Sequence, residues 1–463
     1  MNIKSFENIY LLGIGGIGMS ALAKYFISQN KKAFGYDKVK SNMTIDLENE
    51  GIEISYTDNI DTIPEIFNVK NKSNQLVVYS SAITNNNIFS FFSNNSFKIC
   101  KRAEALGLIS KHYYTIAVAG THGKTTTSVM LAHILKQVSV DCTAFLGGVS
   151  KNYNTNFLFS ETSKYMVVEA DEYDRSFLSL YPDIAIITSL DSDHLDIYGN
   201  QNEFISSFQQ FASQVKDDGC LIIEESIVNH FKSPKKGSLF TYSNSTKSDY
   251  YFSEIQKVHS HVKFNYYKRA NNNVNNTNNK VNLSMPGNHN ISNALAAIAA
   301  SSFLKIDNNK ISDSLNTFCG VKRRFDIHYV SENKIYIDDY AHHPKEVLVT
   351  IETVKRFFPG RNITVVFQPH LFSRTQDFAK DFASSLSIAD NLIILDIYPA
   401  REEPIEGVDS NMILNLCLNE DKQRCSKDNL ISVLKSKKID VLLSLGAGDI
   451  SDFVGPIIKL IKS

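Results

Sequence analysis

Again and again this chain of 463 residues runs through a short apolar stretch and then breaks off into glycine or charged side chains. "NIYLLGI", "QLVVYSSA", "YYTIAVAG", "KYMVVEADE", "DIAIITSLD", "KIYIDDYAHHP", "NITVVFQPH", "NLIILDIYPARE" and "IDVLLSLGAGD" all have this form. A strand that is apolar on both faces needs helices on both faces, which is the situation of a parallel sheet. Such sheets bind ligands outside the carboxyl ends of their strands, where this chain places its polar clusters. The expected fold class is α/β, and the length calls for several domains. The pattern predicts a Rossmann-like parallel sheet over residues 1–112 and a central P-loop α/β domain with a small β-rich insert over 113–320. A doubly wound α/β domain over 321–463 completes the chain.

Two of these breaks are phosphate-binding turns by spacing. In "LLGIGGIGMSA", Gly13, Gly15 and Gly18 fit G-x-G-x-x-G, the turn that lays a pyrophosphate on a helix N-terminus, and Asp37 follows at the distance of a ribose-binding acid. Taken alone, that turn describes a nicotinamide dehydrogenase. In "VAGTHGKTTTSVMLAHIL", Gly120, Thr121, His122, Gly123, Lys124, Thr125 and Thr126 stand between a buried strand and an amphipathic helix. Glycines let backbone N–H groups face phosphates, lysine reaches the β and γ oxygens, and a threonine hydroxyl suits Mg2+. The common P-loop spacing asks for glycine at position 118, which is Val118. A nucleotide-bound Mg2+ needs further hard ligands, and Glu169 and His194, at the ends of the next two strands, are the candidates.

The totals narrow the partners. Lys plus Arg number 48 against 49 acids, a net charge of −1, so no global field draws the chain to nucleic acid or an anionic membrane. No stretch approaches the ~18 apolar residues of a membrane span, and the first residues lack the pattern of a signal peptide, so a cytoplasmic protein is expected. Six scattered cysteines predict reduced, mostly buried thiols. "NNNVNNTNN", residues 271–279, is expected to be a solvated loop in the β-rich insert.

In order along the chain, G-T-H-G-K-T-T-T, E-A-D-E-Y-D, D-H-L-D-I-Y-G, "PGNHNISNALAA", "GVKRRF", "DDYAHHP", "QPHLFSRT" and "YPARE" resemble the Mur ligases of peptidoglycan synthesis. The resemblance runs from the first glycines to Asp449 and is strongest to the branch that adds L-alanine to UDP-N-acetylmuramate. It implies that Gly15, Gly16 and Gly18 hold the diphosphate of that sugar nucleotide, with Asp37, Ser80 and Ser81 nearby and Arg102 reaching the same substrate. Lys124 and Thr125 would hold ATP phosphates and one Mg2+, with Glu169 completing its shell, and His194 would serve a second Mg2+. Asn290 and Asn293 resemble adenine contacts, and Arg324 and Asp339 resemble arms to phosphate and ribose. Tyr340, His343, Arg374 and the "YPARE" turn lie where the family surrounds the amino acid and the muramoyl carboxylate. Two positions depart from the family: Leu371, where some members carry arginine, and Ser189, where asparagine is common. No lysine after "EADEYD" matches the one that sister ligases carbamylate.

The implied reaction transfers the ATP γ-phosphoryl to the lactyl carboxylate, and the L-alanine amine then displaces phosphate from the acyl phosphate. Charge neutralisation by Lys124, two metal ions and arginine would do most of the work. The catalytic set implied is Lys124, His194, His343 and Arg374, with the base left open between His343 and a carboxylate. A domain closing about "TFCGVKRRFD" would keep water from the acyl phosphate. The partners implied are UDP-N-acetylmuramate and L-alanine, with no nucleic acid or membrane, for a monomer or homodimer. A dehydrogenase accounts for only the first glycine turn. A P-loop binding module leaves the polar strand ends after residue 321 without a role, and a sister ligase attaching a tripeptide fits "SKNYNTN" and "DDYAHHPKEV" less well.

Overall fold

The computed structural model describes residues 1–68, 70–83, 86–191, 198–258, 261–270, 273–400 and 402–462. The chain forms two compact units: Met1–Gln256 with Lys263–Leu283 and Asn288–Cys319, and Lys257–Val262 with Ser284–Gly287 and Gly320–Ser463. The three α/β blocks expected from the sequence appear as three sheets.

The first sheet contains β1 (Asn8–Leu12), β2 (Lys32–Tyr36), β3 (Glu53–Ser55), β4 (Gln75–Tyr79) and β5 (Lys98–Lys101), in the order β3-β2-β1-β4-β5 with every pair parallel. Side chains alternate between faces, and both faces are covered. Ile9 and Leu11 pack with Met19, Leu22 and Phe26, while Tyr10 and Leu12 pack with Phe67 and Phe92. That double burial is why the strand reads as one apolar run. The strand order turns back at β1 and β4, which opens a crevice at their carboxyl ends.

The second sheet has ten strands: β6 (Tyr114–Ala119), β7 (Thr143–Ser150), β8 (Thr155–Leu158), β9 (Tyr165–Glu169), β10 (Ile184–Ile187), β11 (Cys220–Glu224), β12 (Ser238–Ser243), β13 (Tyr250–Val258), β14 (His261–Ala270) and β15 (Asn273–Leu283). Their order is β15-β14-β13-β12-β11-β10-β6-β9-β7-β8. β6 lies between β9 and β10, parallel to both, so the phosphate loop after β6 is flanked by the acid-bearing ends of the next two strands. The helix Lys124–Gln137 behind the loop is buried on nearly all sides, as is the alanine-rich helix Asn288–Phe303.

The expectation of a solvated loop over 271–279 is wrong for its described part. Residues 273–279 belong to β15, an edge strand hydrogen-bonded to β14, while 271 and 272 lie outside the described residues. Ladder hydrogen bonds need no apolar side chain, and Val281 and Leu283, both fully buried, anchor the strand's other end.

The third sheet contains β16 (Asp326–Val330), β17 (Ile335–Asp339), β18 (Ile363–Phe367), β19 (Asn391–Leu395), β20 (Asp421–Cys425) and β21 (Val441–Leu445), ordered β16-β17-β21-β18-β19-β20. Only β16 runs antiparallel. The strands that end in "YAHHP", "GAGD", "QPH" and "YPARE" are four consecutive neighbours, β17, β21, β18 and β19. Their polar ends therefore meet on one rim. All six cysteines are free thiols, five of them buried. Among the described residues no helix is long and apolar enough to cross a membrane.

Candidate active site

The first glycine turn is fixed by the acid expected to meet a ribose. Gly15 N–H donates to Asp37 Oδ2 at 2.8 Å and Val39 N–H to Asp37 Oδ1 at 3.1 Å. A Cβ on Gly15 would stand 2.9 Å from Asp37 Oδ2 and from Thr44 Cγ2, so only glycine fits. Gly16 begins the helix Ile17–Ser28, which aims free N–H groups into the crevice. Ser80 lines the turn, its Cβ 3.1 Å from where a Gly13 Cβ would lie, and Ser81 is exposed beside it. Arg102 opens the helix Arg102–Ser110 and lies against Gly18, with Cδ 3.1 Å from the missing Cβ. Its Nη2 donates to Asp171 Oδ2 at 3.2 Å. The structure thus gathers Gly15, Gly16, Gly18, Asp37, Ser80, Ser81 and Arg102 at one strand-end crevice.

The phosphate loop is held open from several sides. Gly120 (φ +131) would drive a Cβ into Thr188 Oγ1, and Gly123 (φ +86) would drive one to within 2.3 Å of Asn293 Oδ1. Asn293 therefore lies against the loop, and Asn290 is buried on the same helix. Ser189, the departure noted above, accepts from His122 N–H at 2.8 Å, while the Thr188 hydroxyl donates to the His122 carbonyl. Thr121 Oγ1 donates to the Asp191 carbonyl at 2.7 Å. A short hydroxyl is thus enough at position 189, because its partner is the loop backbone. Thr125 and Thr126 are buried at the helix start.

Lys124 is folded back over this loop. Its Nζ donates to the Gly120 carbonyl at 2.7 Å and meets Glu172 at 2.7–2.8 Å, an acid that the sequence reading passed over. Glu172 is 2 % exposed, and burial pushes its pKa up to about 7 against the pull of Lys124. Burial alone would lower the Lys124 pKa, but Glu172, Glu169 and Asp171 together outweigh it and hold the ammonium charged. No sequence signal separates Glu172 from its exposed neighbours in "EADEYD", because burial is decided by the turn after β9.

Glu169 fits a metal ligand. Its Oε2 is buried and has no hydrogen-bond partner among the described residues, and its carboxylate sits over Gly147, where a Cβ would approach to 2.2 Å. An orphaned buried carboxylate oxygen at the end of the strand next to the one that carries the phosphate loop is suited to a hard divalent cation. His194, the other expected ligand, lies outside the described residues.

In the second unit, "GVKRRFD" divides its two arginines. Arg323 is built into the sheet: Nε meets Asp338 Oδ2 at 3.1 Å, and the guanidinium donates to the carbonyls of Gly446 and Gly448. Both guanidiniums lie over the Tyr340 ring, Arg323 at 5.4 Å and Arg324 at 5.0 Å, but Arg324 reaches Glu346 at 4.0 Å. The buried Asp339 already takes backbone N–H groups on both oxygens, Phe325 on Oδ2 and Ala341 on Oδ1 at 2.7 Å. Burial lifts its pKa to about 6.

The histidine pair also divides. His343 caps the helix Pro344–Phe357, its Nδ1 accepting from Lys345 N–H at 3.4 Å. His342 points Nδ1 at two acceptors, the Tyr340 carbonyl at 3.1 Å and Glu346 Oε2 at 3.3 Å. That nitrogen therefore carries the proton, and Nε2 keeps its lone pair. Burial, with Arg374 and Arg324 adding to it, pushes the His342 pKa down to about 4. Arg374 lies in the first turn of the helix Phe372–Leu386, whose start is held by Glu402 of "YPARE" through Ser373 N–H at 3.0 Å. Arg401 of that turn lies outside the described residues. Leu371, just before this helix, has φ +72, a conformation bulky residues rarely adopt.

Two phosphate-type turns and a polar strand-end rim, carried in succession along one chain, define a class, and comparison with known proteins agrees. Residues 8–114 match the Mur ligase family catalytic domain, 118–301 the Mur ligase middle domain and 323–448 the Mur ligase glutamate ligase domain. The chain belongs to the Mur ligase family. It is 43 % identical to a UDP-N-acetylmuramate–L-alanine ligase of Cytophaga hutchinsonii, covering 99 % of this chain and 97 % of that one. It is 42 % identical to the protein of that name from Porphyromonas gingivalis W83, covering 99 % of each. Among solved structures, the UDP-N-acetylmuramate-alanine ligase of Thermotoga maritima superposes with a TM-score of 0.81 at 27 % identity over 98 % of both chains. A murein peptide ligase of Psychrobacter arcticus shares the fold, with a TM-score of 0.71 at 23 % identity over 98 % of both.

Proposed function

We infer that this chain joins L-alanine to the lactyl carboxylate of UDP-N-acetylmuramate, using ATP and releasing ADP and phosphate. The observation that carries the reading is that the first unit holds two separate phosphate-binding turns, each at the carboxyl ends of its own sheet. A dehydrogenase or a simple nucleotide switch needs one. The alanine-ligase name of the full-length relatives supports this choice over the tripeptide-adding alternative.

On this reading, residues 1–112 bind the sugar nucleotide, with Gly15, Gly16 and Gly18 against its diphosphate and Asp37 keeping the turn open. Residues 113–320 bind ATP through the loop Gly120–Thr126, with Asn290 and Asn293 on the base. Residues 321–463 supply Arg324, Asp339 and the amino-acid site. Thr125 and Glu169 would hold one Mg2+ and His194 a second, and these ions would supply charge neutralisation at the phosphates. Lys124 leaves Glu172 for the transferring phosphoryl group and offsets its charge. Arg374 faces a carboxylate, and Tyr340 orients Arg324. His342, and not His343, keeps an uncommitted imidazole lone pair, on Nε2, that could take the proton the attacking amine sheds as it bonds to carbon, although its lowered pKa makes it a weak base. His343 spends its lone pair capping a helix. Substrates of this kind place the reaction in the cytoplasm, at the first peptide-adding step of cell-wall precursor synthesis.

The test is phosphate release with Mg-ATP, UDP-N-acetylmuramate and each of L-alanine, glycine, L-serine and tripeptide. Release should need both co-substrates and be fastest with L-alanine. Equal release without the sugar nucleotide refutes the reading, and preference for tripeptide supports the sister activity.

A further inference from the structure

Asp171 and Glu172, consecutive residues just after β9, each hold a cation that lies at a different phosphate-type turn. Glu172 takes Lys124 Nζ of the loop after β6, at 2.7–2.8 Å. Asp171 takes Nη2 of Arg102, which lies against Gly18 of the turn after β1. One dipeptide thus neutralises both anion sites. The chain just beyond is strained, because Asp174 (φ +52) and Arg175 (φ +54) are successive non-glycine residues in the left-handed region. It is pinned at discrete points. The Tyr198 hydroxyl donates to the Glu172 carbonyl, Tyr173 N–H donates to Asp171 Oδ1 at 3.1 Å, and Phe177 packs between Phe208 and Phe211.

An arriving phosphate competes with Glu172 for the same ammonium. Once it wins, the 2 %-exposed Glu172 loses its cation, and a buried carboxylate so stranded either takes up a proton or moves. Either response is felt by Asp171, the preceding residue on the same backbone, and by the strained turn that follows. We propose that Asp171 and Glu172 are positioning residues that occupy the two phosphate-binding cations in the absence of ligand and couple the sites, so that filling one loosens the grip on the cation of the other. The coupling is reciprocal by thermodynamic necessity. It also restrains Lys124 until a phosphate is present. The proposal rests on the ligase reading for the identity of the two anions.

The experiment measures, by titration calorimetry, the Kd of Mg-AMPPNP with and without saturating UDP-N-acetylmuramate, and the converse, in wild type, Glu172→Gln and Asp171→Asn. In wild type each ligand should tighten the other at least about threefold. Glu172→Gln should bind Mg-AMPPNP alone about five- to tenfold tighter, since a competing carboxylate and its repulsion of phosphate are both gone. Asp171→Asn, at a more exposed pair, should tighten UDP-N-acetylmuramate about two- to threefold. In both variants the mutual tightening should fall close to unity, a change that a merely structural pair would not produce. If Glu172→Gln does not fold, the surface change Asp171→Asn decides alone. Wild-type coupling that persists in the folded variants overturns the proposal only. Wild type that binds neither ligand overturns the ligase reading and the proposal with it.

Discussion

Gly147→Ala isolates the role of Glu169 without touching a charged residue. Gly147 lies within β7, and its φ is not in the left-handed region, so alanine meets no backbone penalty. The new methyl, however, would stand 2.2–2.3 Å from both carboxylate oxygens of Glu169, at least about 1 Å short of ordinary contact. The carboxylate is the end of a flexible side chain and yields first, at a cost of about 1–2 kcal/mol in stability. A metal ligand displaced by about 1 Å loses far more in rate, on the order of 10²-fold. The substitution should therefore leave a folded protein whose half-saturating Mg2+ concentration in the phosphate-release assay rises at least about tenfold, with part of the lost rate recovered at high Mg2+. A variant with wild-type Mg2+ dependence would show that Glu169 does not hold the metal.

Lys124→Ala should lower phosphate release by about 10²–10³-fold with both co-substrates saturating, the usual cost of removing one preorganised charge from a transition state; a loss under tenfold would remove Lys124 from the chemistry. Arg323→Ala should cost about 3–5 kcal/mol in urea unfolding, because it leaves the fully buried Asp338 without its cation, whereas Arg324→Ala should unfold like wild type yet lose activity. Reversed phenotypes would mean that the two arginines have been assigned the wrong way round. The Asp339 pKa is raised from 3.8 to about 6, so its folded form binds the proton more tightly; the stability it confers is complete below pH 3.8 and is lost as pH rises through 6, about 3 kcal/mol in all. Unfolding free energies of wild type relative to Asp339→Asn should fall between pH 4 and 7, and parallel curves would refute the shift.

The sequence announced the sheets because their strands are buried on both faces, as Ile9 and Tyr10 show by packing into opposite cores. It announced the glycine turns because Gly15 and Gly123 have no room for a Cβ. It misread the asparagine run because a ladder depends on the backbone, and polar side chains hide an edge strand. Glu172 and His342 were illegible for another reason. Each stands beside a residue of the same or similar type, Asp171 or His343, and which of the two turns inward is settled by hydrogen bonds to groups far off in sequence or on the next turn.

Those neighbouring pairs share a physical logic. In "HH" and "RR", consecutive side chains leave the backbone in different directions, so one member is tied into the structure and the other faces the ligand side. Arg323 locks the rim through Asp338, Gly446 and Gly448, while Arg324, over the same Tyr340 ring, turns towards Glu346. His343 caps a helix, which places His342 with its protonated nitrogen on the Tyr340 carbonyl. Asp171 and Glu172 break the rule, for both hold cations of ligand sites. A doublet with no purely structural member loses its side-chain cations when its partners leave and keeps only the turn contacts around it, which is the physical reason to expect movement there and rigidity at the other two.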